Sequence, residues 1–488
     1  MKLINFTENK LFYLILCSLI IFASFLRIYN INFNDLWTDE IFSFWVSDPS
    51  INFNETLIRA FSSGLNFFFD LSLKFFHSFF GYDVYVSRYF PLILSIISLN
   101  LFAILLIRIT SKKSVILGFF ILTINLYHIK YSQELRSYIL TFLFTIVFLF
   151  LNFDRKNTIE KFKPYHLLIS IVVIFLMYCN HAFTLLVVGS FIIFKILKII
   201  QRKKIDLDNI IVISSYILTS VIFLVFYYYT NLKFINPDTL NGISPDWMKQ
   251  PKLSFYTNYF FSEFFGSRIL GLIHLSILIF CIVRFRKDFF NQKNDIFAYF
   301  VILLIFSYLV PLIIGYLFGP ILLGRFLIFL LIPIICLLCH FIFLINNKYI
   351  RYLFIVSICL TTSLNHFFYE NTFRQFFAEQ FYTKPQVKES LKIINFSETN
   401  RFTIKMSEKN INHINDVYEN YIIKYIEKKK FKINYFNNQN ENLQPDKTWI
   451  LYFRDITEEK FKVPKIFDDY KIIKKVSLNR LDLFLLEK

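Results

Sequence analysis

Residues 11–45 read LFYLILCSLIIFASFLRIYNINFNDLWTDEIFSFW. An apolar stretch over 11–28 is long enough for a membrane crossing, which takes about 20 residues of helix. Two adjacent carboxylates, Asp39 and Glu40, follow it within a wrap of Trp, Ile and Phe. The two basic residues of MKLINFTENK resemble the start of a signal peptide, but no small-x-small cleavage site follows. The stretch therefore reads as a retained signal anchor.

The same character runs through the chain. Of its 488 residues, 56% are hydrophobic and 18% charged, and the mean hydropathy is +0.50. That is too apolar for a soluble domain, whose charged fraction is nearer a quarter, so the chain reads as a polytopic α-helical membrane protein. The 65 Phe and 29 Tyr, with abundant Ile, Lys and Asn, suggest the codon bias of an AT-rich genome and favour a bacterial source. The net charge of +18 falls largely in short loops between apolar runs, which argues against a nucleic-acid partner. The six cysteines lie in or beside apolar segments and give neither a disulfide framework nor, at Cys336 and Cys339, a paired metal motif.

Apolar runs near 11–28, 89–107, 114–129, 137–153, 165–179, 182–200, 209–229, 269–285, 296–318, 323–345 and 351–367 predict about eleven spanning helices. Basic clusters such as Arg108–Lys113, Arg155–Lys163, Lys195–Lys204, Arg284–Lys293 and Lys348–Arg351 occupy alternate loops, which the positive-inside rule assigns to the cytoplasm. The N-terminus is then inside and the C-terminus outside. The outer face receives the first loop (30–88), the turn containing KYSQELRSY, the loop 230–268 and a tail from about 368. Segments 39–47 and 65–80 suit interfacial helices. The expected domains are 1–367, the membrane part, and 368–488, a small extracytoplasmic α/β domain. The latter has a helical pattern at 413–429 and strand-like FKINYF, TWILYF, YKIIKKVSL and LDLFLLE.

Chemistry on the outer face has no access to cytosolic ATP, so it draws on pre-activated lipid-linked donors, and the outer acids carry the weight. Asp39 and Glu40 suit the first turn of a helix capped by Thr38, where the dipole favours acids. A carboxylate oriented in that way can also serve as general base to an incoming hydroxyl. In YHIKYSQELRSYIL (127–140), Lys130, Glu134 and Arg136 form either a snorkelling turn or an acid beside a phosphate anchor, a task the planar guanidinium suits. Arg88 reads as a structural anchor and His77 as packing.

LRIYNINFNDLWTDEIFS, GYDVYVSRYFPLILSIISL, YHIKYSQELRSYIL, YCNHAF and GRFLIFLLIPI occur in that order over roughly residues 20–345. Together they resemble the GT-C integral-membrane glycosyltransferases of the protein O-mannosyltransferase and aminoarabinose transferase type. The resemblance implies an inverting glycosyltransferase that takes a sugar from a polyprenyl-phosphate donor on the extracytoplasmic face of a bacterial inner membrane. The acceptor would be a protein, lipid or glycan. It implies Asp39 as the catalytic acid and Glu40 as its partner, with Glu134 as a second acid and Arg136 as its basic companion. Arg325 would stand at the donor phosphate, and His181 also matches a family position. Lys130, Arg268 and Trp37 are further binding candidates on the same face. Relatives carry a Pro-Pro-Leu-Tyr motif in the first loop; here Gly64-Leu65-Asn66-Phe67-Phe68-Phe69 replaces it, with Asn66 the one polar candidate. The DE and YSQELRSY elements are expected to face one cavity. No His/Asp/Glu spacing defines a metal site, although loop acids leave room for a divalent cation. The alternatives are a polysaccharide polymerase or ligase, or a lipid-linked-glycan flippase.

Overall fold

The computed structural model describes residues 2–61, 67–154, 157–158, 164–202, 207–234, 263–289, 295–319, 321–368, 384–395, 401–405, 432–435, 447–453 and 468–488. Asn66 and the helical pattern at 413–429 lie outside these residues. The chain divides into two compact units: residues 1–29, 51–72 and 89–378 form one, and residues 30–50, 73–88 and 379–488 the other.

The first unit is helical, and each of the eleven apolar runs forms a helix. Among the described residues six are long and apolar enough to cross a membrane: Asn9–Ile28, Val84–Ile109, Ala182–Gln201, Leu207–Thr230, Asp295–Leu317 and Gly324–Ile342. The expected count of about eleven is therefore not reached among the described residues: three of the other runs form helices that are too short, and Lys348–Phe368, although 21 residues long, is not among the six. Tyr138–Asn152, at 15 residues, extends only about 22 Å against a hydrocarbon core of about 30 Å. Pro164–Asn180 and Ile269–Arg284 are also short. The run at 114–129 is a bent pair, Lys112–Thr123 and Leu126–Ser132, set at 58° and able to count as a seventh span.

The centre of this unit is Leu331–Ile342, every residue of which is buried, Cys336 and Cys339 included. Neighbouring helices approach it closely where side chains are small. A methyl group on Gly118 would stand 3.2 Å from Cys339 Sγ and 3.2 Å from Leu106 Cδ1, so only glycine lets the helix Lys112–Thr123 pack there without displacing a neighbour.

The bend at Ile124 frees backbone carbonyls, and Arg27 at the end of the first helix Lys2–Ile28 takes them up. Its guanidinium, fully buried, donates to Thr123 O (3.1 Å), Leu122 O (3.0 Å) and Ala23 O (2.9 Å), and Nη2 lies 2.9 Å from His128 Nδ1. Asn125 caps the helix that resumes, its Oδ1 accepting the His128 N–H at 2.9 Å. A kink needs its freed polar groups satisfied, and here one arginine and one asparagine do it.

In the second unit, residues 401–487 form a five-stranded sheet ordered Lys432–Tyr435, Arg401–Lys405, Lys447–Phe453, Leu481–Glu487, Lys471–Leu478. The first two pairings are parallel and the last two antiparallel. The strands expected at FKINYF, TWILYF, YKIIKKVSL and LDLFLLE are present, and RFTIK supplies a fifth that the sequence reading did not include. Leu481–Glu487 is buried along most of its length, and its Phe484 and Leu486 pack with Ile450, Tyr452 and Tyr470 in one core. The edge strand is kept from pairing further by exposed Lys471, Lys474 and Lys475. The same unit holds the first-loop helices Thr38–Val46 and Val84–Ser87, residues 73–80 of the helix Phe67–Phe80, and the short helix Val387–Asn395.

Candidate functional site

The DE pair opens the helix Thr38–Val46. Trp37, in extended geometry (φ −78°, ψ 160°), is the capping residue in place of the expected Thr38. The reason lies in Glu40, whose Oε2 reaches back to accept the Trp37 N–H at 2.7 Å and satisfies one of the orphan donors of the first turn. Successive helix positions diverge by about 100°, so the two acids separate. Glu40 turns inward and is fully buried, whereas Asp39 keeps part of its surface exposed.

A buried carboxylate needs partners. Lys384 Nζ lies 2.5 Å from Glu40 Oε2, and Arg88 Nη2 lies 3.6 Å from Oε1. Burial alone would raise the Glu40 pKa. The Lys384 ammonium, the Arg88 guanidinium and the Trp37 N–H outweigh that and hold it below the ordinary carboxylate range. Asp35 behaves oppositely: burial dominates and raises it, although Lys388 donates its backbone N–H at 2.7 Å and its ammonium stands 3.4 Å away. Arg88 is the anchor expected of it, donating to the carbonyls of Ile31 (2.8 Å), Asn34 (2.5 Å) and Asp35 (2.8 Å). His77 also packs as expected, between Ser47 O and Ser87 Oγ at 3.1 and 2.8 Å. Trp37 lies 4.7 Å beneath the Arg480 guanidinium.

The remaining candidates belong to the helical unit. Glu134 is buried and Arg136 half-buried in the turn between Ser132 and Tyr138, where the Arg136 N–H donates to Glu134 O at 2.7 Å. Arg325 opens the 3₁₀ segment Gly324–Leu330, its guanidinium 6.0 Å from the Tyr138 ring and 5.9 Å from the Phe326 ring. His181 sits at the break after Pro164–Asn180, with ring centroids 4.9 Å from Phe326 and 6.0 Å from Tyr138. Burial, reinforced by nearby Arg136 and Arg325, pushes the His181 imidazole down to about 3, so it is neutral. Its Nδ1 accepts the Phe183 N–H at 3.3 Å, which assigns the proton to Nε2 and makes that atom a donor. Tyr131 is within electrostatic range of both Glu134 and Arg325, so the turn and the 3₁₀ segment share one neighbourhood. Lys130 is exposed, its ammonium 5.8 Å over Tyr131. Arg268 begins the helix Arg268–Arg284, and its side chain lies outside the described set.

Sequence reasoning missed Tyr138, Phe326, Lys384, Lys388 and Asp35. Tyr138 stood inside the quoted motif and could have been found as the aromatic beside Arg136; the two lysines carry no local signal. Among the described residues no group of three or more His, Cys, Asp or Glu could hold a metal ion. Of the first-loop acids, Glu40 and Asp35 give their oxygens to ammonium, guanidinium and amide donors.

No family model and no curated protein matches the chain. Solved structures do. ArnT from Cupriavidus metallidurans bound to undecaprenyl phosphate is 8% identical, with a TM-score of 0.55 over 97% of each chain. Its apo state matches over 98% of each chain with the same score. The oligosaccharyltransferase AglB from Archaeoglobus fulgidus, in complex with an inhibitory peptide and a dolichol-phosphate, is 10% identical with a TM-score of 0.50. That match covers 86% of this chain, which spans about 60% of the archaeal one. This chain, with helices long and apolar enough to cross a membrane, therefore has the fold of ArnT and AglB.

Proposed function

We propose that the chain is an inverting glycosyltransferase that moves a sugar from a polyprenyl-phosphate donor to a hydroxyl or amine acceptor on the extracytoplasmic face of a bacterial inner membrane. The observation that carries the reading is the end-to-end fold match to a chain that binds undecaprenyl phosphate. The sequence pattern of Asp39 and YSQELRSY supports it.

In this reading the acceptor oxygen or nitrogen attacks the anomeric carbon from the face opposite the phosphate. The bond from that carbon to the phosphate oxygen breaks, polyprenyl phosphate leaves, and Asp39 takes the acceptor's proton. Arg136 and Arg325 offset the charge growing on the leaving phosphate, and the His181 Nε2–H donates to an oxygen of the donor. Glu134 orients the arginines as their counter-charge. Glu40 holds the helix that carries Asp39.

The test is transfer by the purified chain in lipid nanodiscs, supplied with polyprenyl-phosphate sugars and read by mass spectrometry. Asp39→Asn is expected to lower turnover by about 10²–10⁴-fold, the usual contribution of a general base. Full transfer by that variant overturns the assignment. A glycan polymerase or ligase would keep its activity in Asp39→Asn, and a flippase would move donor across the bilayer without forming a new glycosidic bond.

A further inference from the structure

We propose that Lys384, with the segment 384–388 that it opens, is the positioning element for Asp39, pinning the first-loop helix from a point 344 residues along the chain. The proposal rests on Asp39 being the base. It assigns a catalytic purpose to a stretch of tail that carries no motif.

Glu40 is the handle. It is the third residue of the helix whose second residue is Asp39, and its carboxylate is fully buried. Arg88 spends its hydrogen bonds on three backbone carbonyls and stands off Glu40 at 3.6 Å, so the short charged contact falls to Lys384. A buried ion pair with one hydrogen-bonded member fixes direction as well as distance. The rotation of the Thr38–Val46 helix about its axis, and with it the heading of Asp39, follows from where Lys384 is held.

Lys384 is itself held firmly. Its carbonyl accepts Asn479 Nδ2 at 3.0 Å, and the Gln386 side chain accepts the Asn479 N–H at 2.7 Å. Asn479 and Arg480 are the two-residue turn of the sheet's terminal hairpin, Lys471–Leu478 to Leu481–Glu487. Arg480 adopts a left-handed φ of +52°, uncommon for a side chain of that size, and its guanidinium covers Trp37, the cap of the same helix. Two residues beyond Gln386, Lys388 engages Asp35 by both its N–H and its ammonium. Asp35 thus caps the N-terminus of the helix Val387–Asn395 from the first loop. The sheet turn, the segment 384–388 and the helix Thr38–Val46 are joined at three successive points, at Glu40, Asp35 and Trp37.

The experiment uses the full chain in nanodiscs. Lys384→Met keeps the length of the side chain and removes its charge; Lys384→Arg keeps the charge. Lys384→Met is expected to lower kcat by about 10–10²-fold, the cost of a misplaced catalytic group, with KM for the lipid-linked donor held within about twofold. Lys384→Arg should recover most of the loss. Hydrogen exchange should quicken in residues 38–46 of Lys384→Met and not in Leu331–Ile342. Unchanged exchange in 38–46, or faster exchange spread over both units, overturns the proposal. So does wild-type kcat in Lys384→Met when Asp39→Asn is inactive. Full activity in Asp39→Asn instead overturns the functional reading; the exchange measurement then still reports on the pinning itself.

Discussion

Two fully buried charges, Arg27 in the helical unit and Glu40 in the other, are neutralised in opposite ways. Arg27 is surrounded by dipoles: the carbonyls of Ala23, Leu122 and Thr123 and the ring nitrogen of His128. Glu40 is surrounded by ions, Lys384 and Arg88, with one backbone N–H. Where the chain must bend inside the apolar unit, freed carbonyls are already there, and a cation is the partner they require. In the first loop the helix start supplies N–H groups, which favour an anion, and the anion then draws in cations from the tail. The polarity of a broken or starting helix dictates the sign of the charge that can be buried there.

The comparison is broken most severely by removing Arg27. Arg27→Met orphans at least two buried acceptors at about 1–3 kcal/mol each, so a loss of about 3–5 kcal/mol is expected in thermal unfolding of the nanodisc-bound protein, with little dependence on pH. Glu40→Gln leaves two cations facing a neutral amide. Because Lys384 retains some contact with solvent, a smaller loss of about 2–3 kcal/mol is expected. This second loss depends on pH. The Glu40 pKa is lowered on folding, so its stabilisation is complete above the ordinary value of 4.5 and disappears as pH falls through the folded value. Wild type and Glu40→Gln should therefore converge in melting temperature only at pH below the usual carboxylate range. Arg480→Ala removes one cation–aromatic contact with Trp37 and should cost about 0.5–1 kcal/mol. Asp35→Asn sharpens the contrast with Glu40. Burial raises the Asp35 pKa, so its ionised form opposes folding above that raised value, and an amide can still accept the Lys388 N–H. Its melting temperature at pH 7 should stay close to wild type, a change within about 0.5 kcal/mol.

The apolar runs were legible because burial in lipid imposes composition on every residue of a span, and each run reappears as a helix or, as at 114–129, as a broken pair of helices. Their number as full crossings was not. The 58° bend at Ile124 and the short helix Tyr138–Asn152 depend on how neighbours close around a break, which periodicity does not encode. The DE pair could be read as a helix start because caps are local. Its division into a buried Glu40 and a partly exposed Asp39 could not, since the partner that draws Glu40 inward lies 344 positions away. Strand Arg401–Lys405 escaped notice for a related reason. It pairs in parallel on both sides, with partners 31 and 47 positions on, and carries a basic residue at each end. Among the site candidates, the proximity of His181 to Arg136 and Arg325 follows from three separate turns meeting, and only the motif order hinted at it.

The span between Glu40 and Lys384 also has a meaning in time. A ribosome adding about 5–20 residues per second needs roughly 17–70 s to make those 344 residues. Throughout that interval Glu40 has only the more distant of its two cations, Arg88, and not Lys384. The nascent chain must therefore either keep Glu40 wet or leave the helix unset until the tail emerges. The first loop is among the earliest parts of the protein to be made and among the last to be finished. A chain released before Lys384 would carry every residue of the DE element and still lack the contact that aims it.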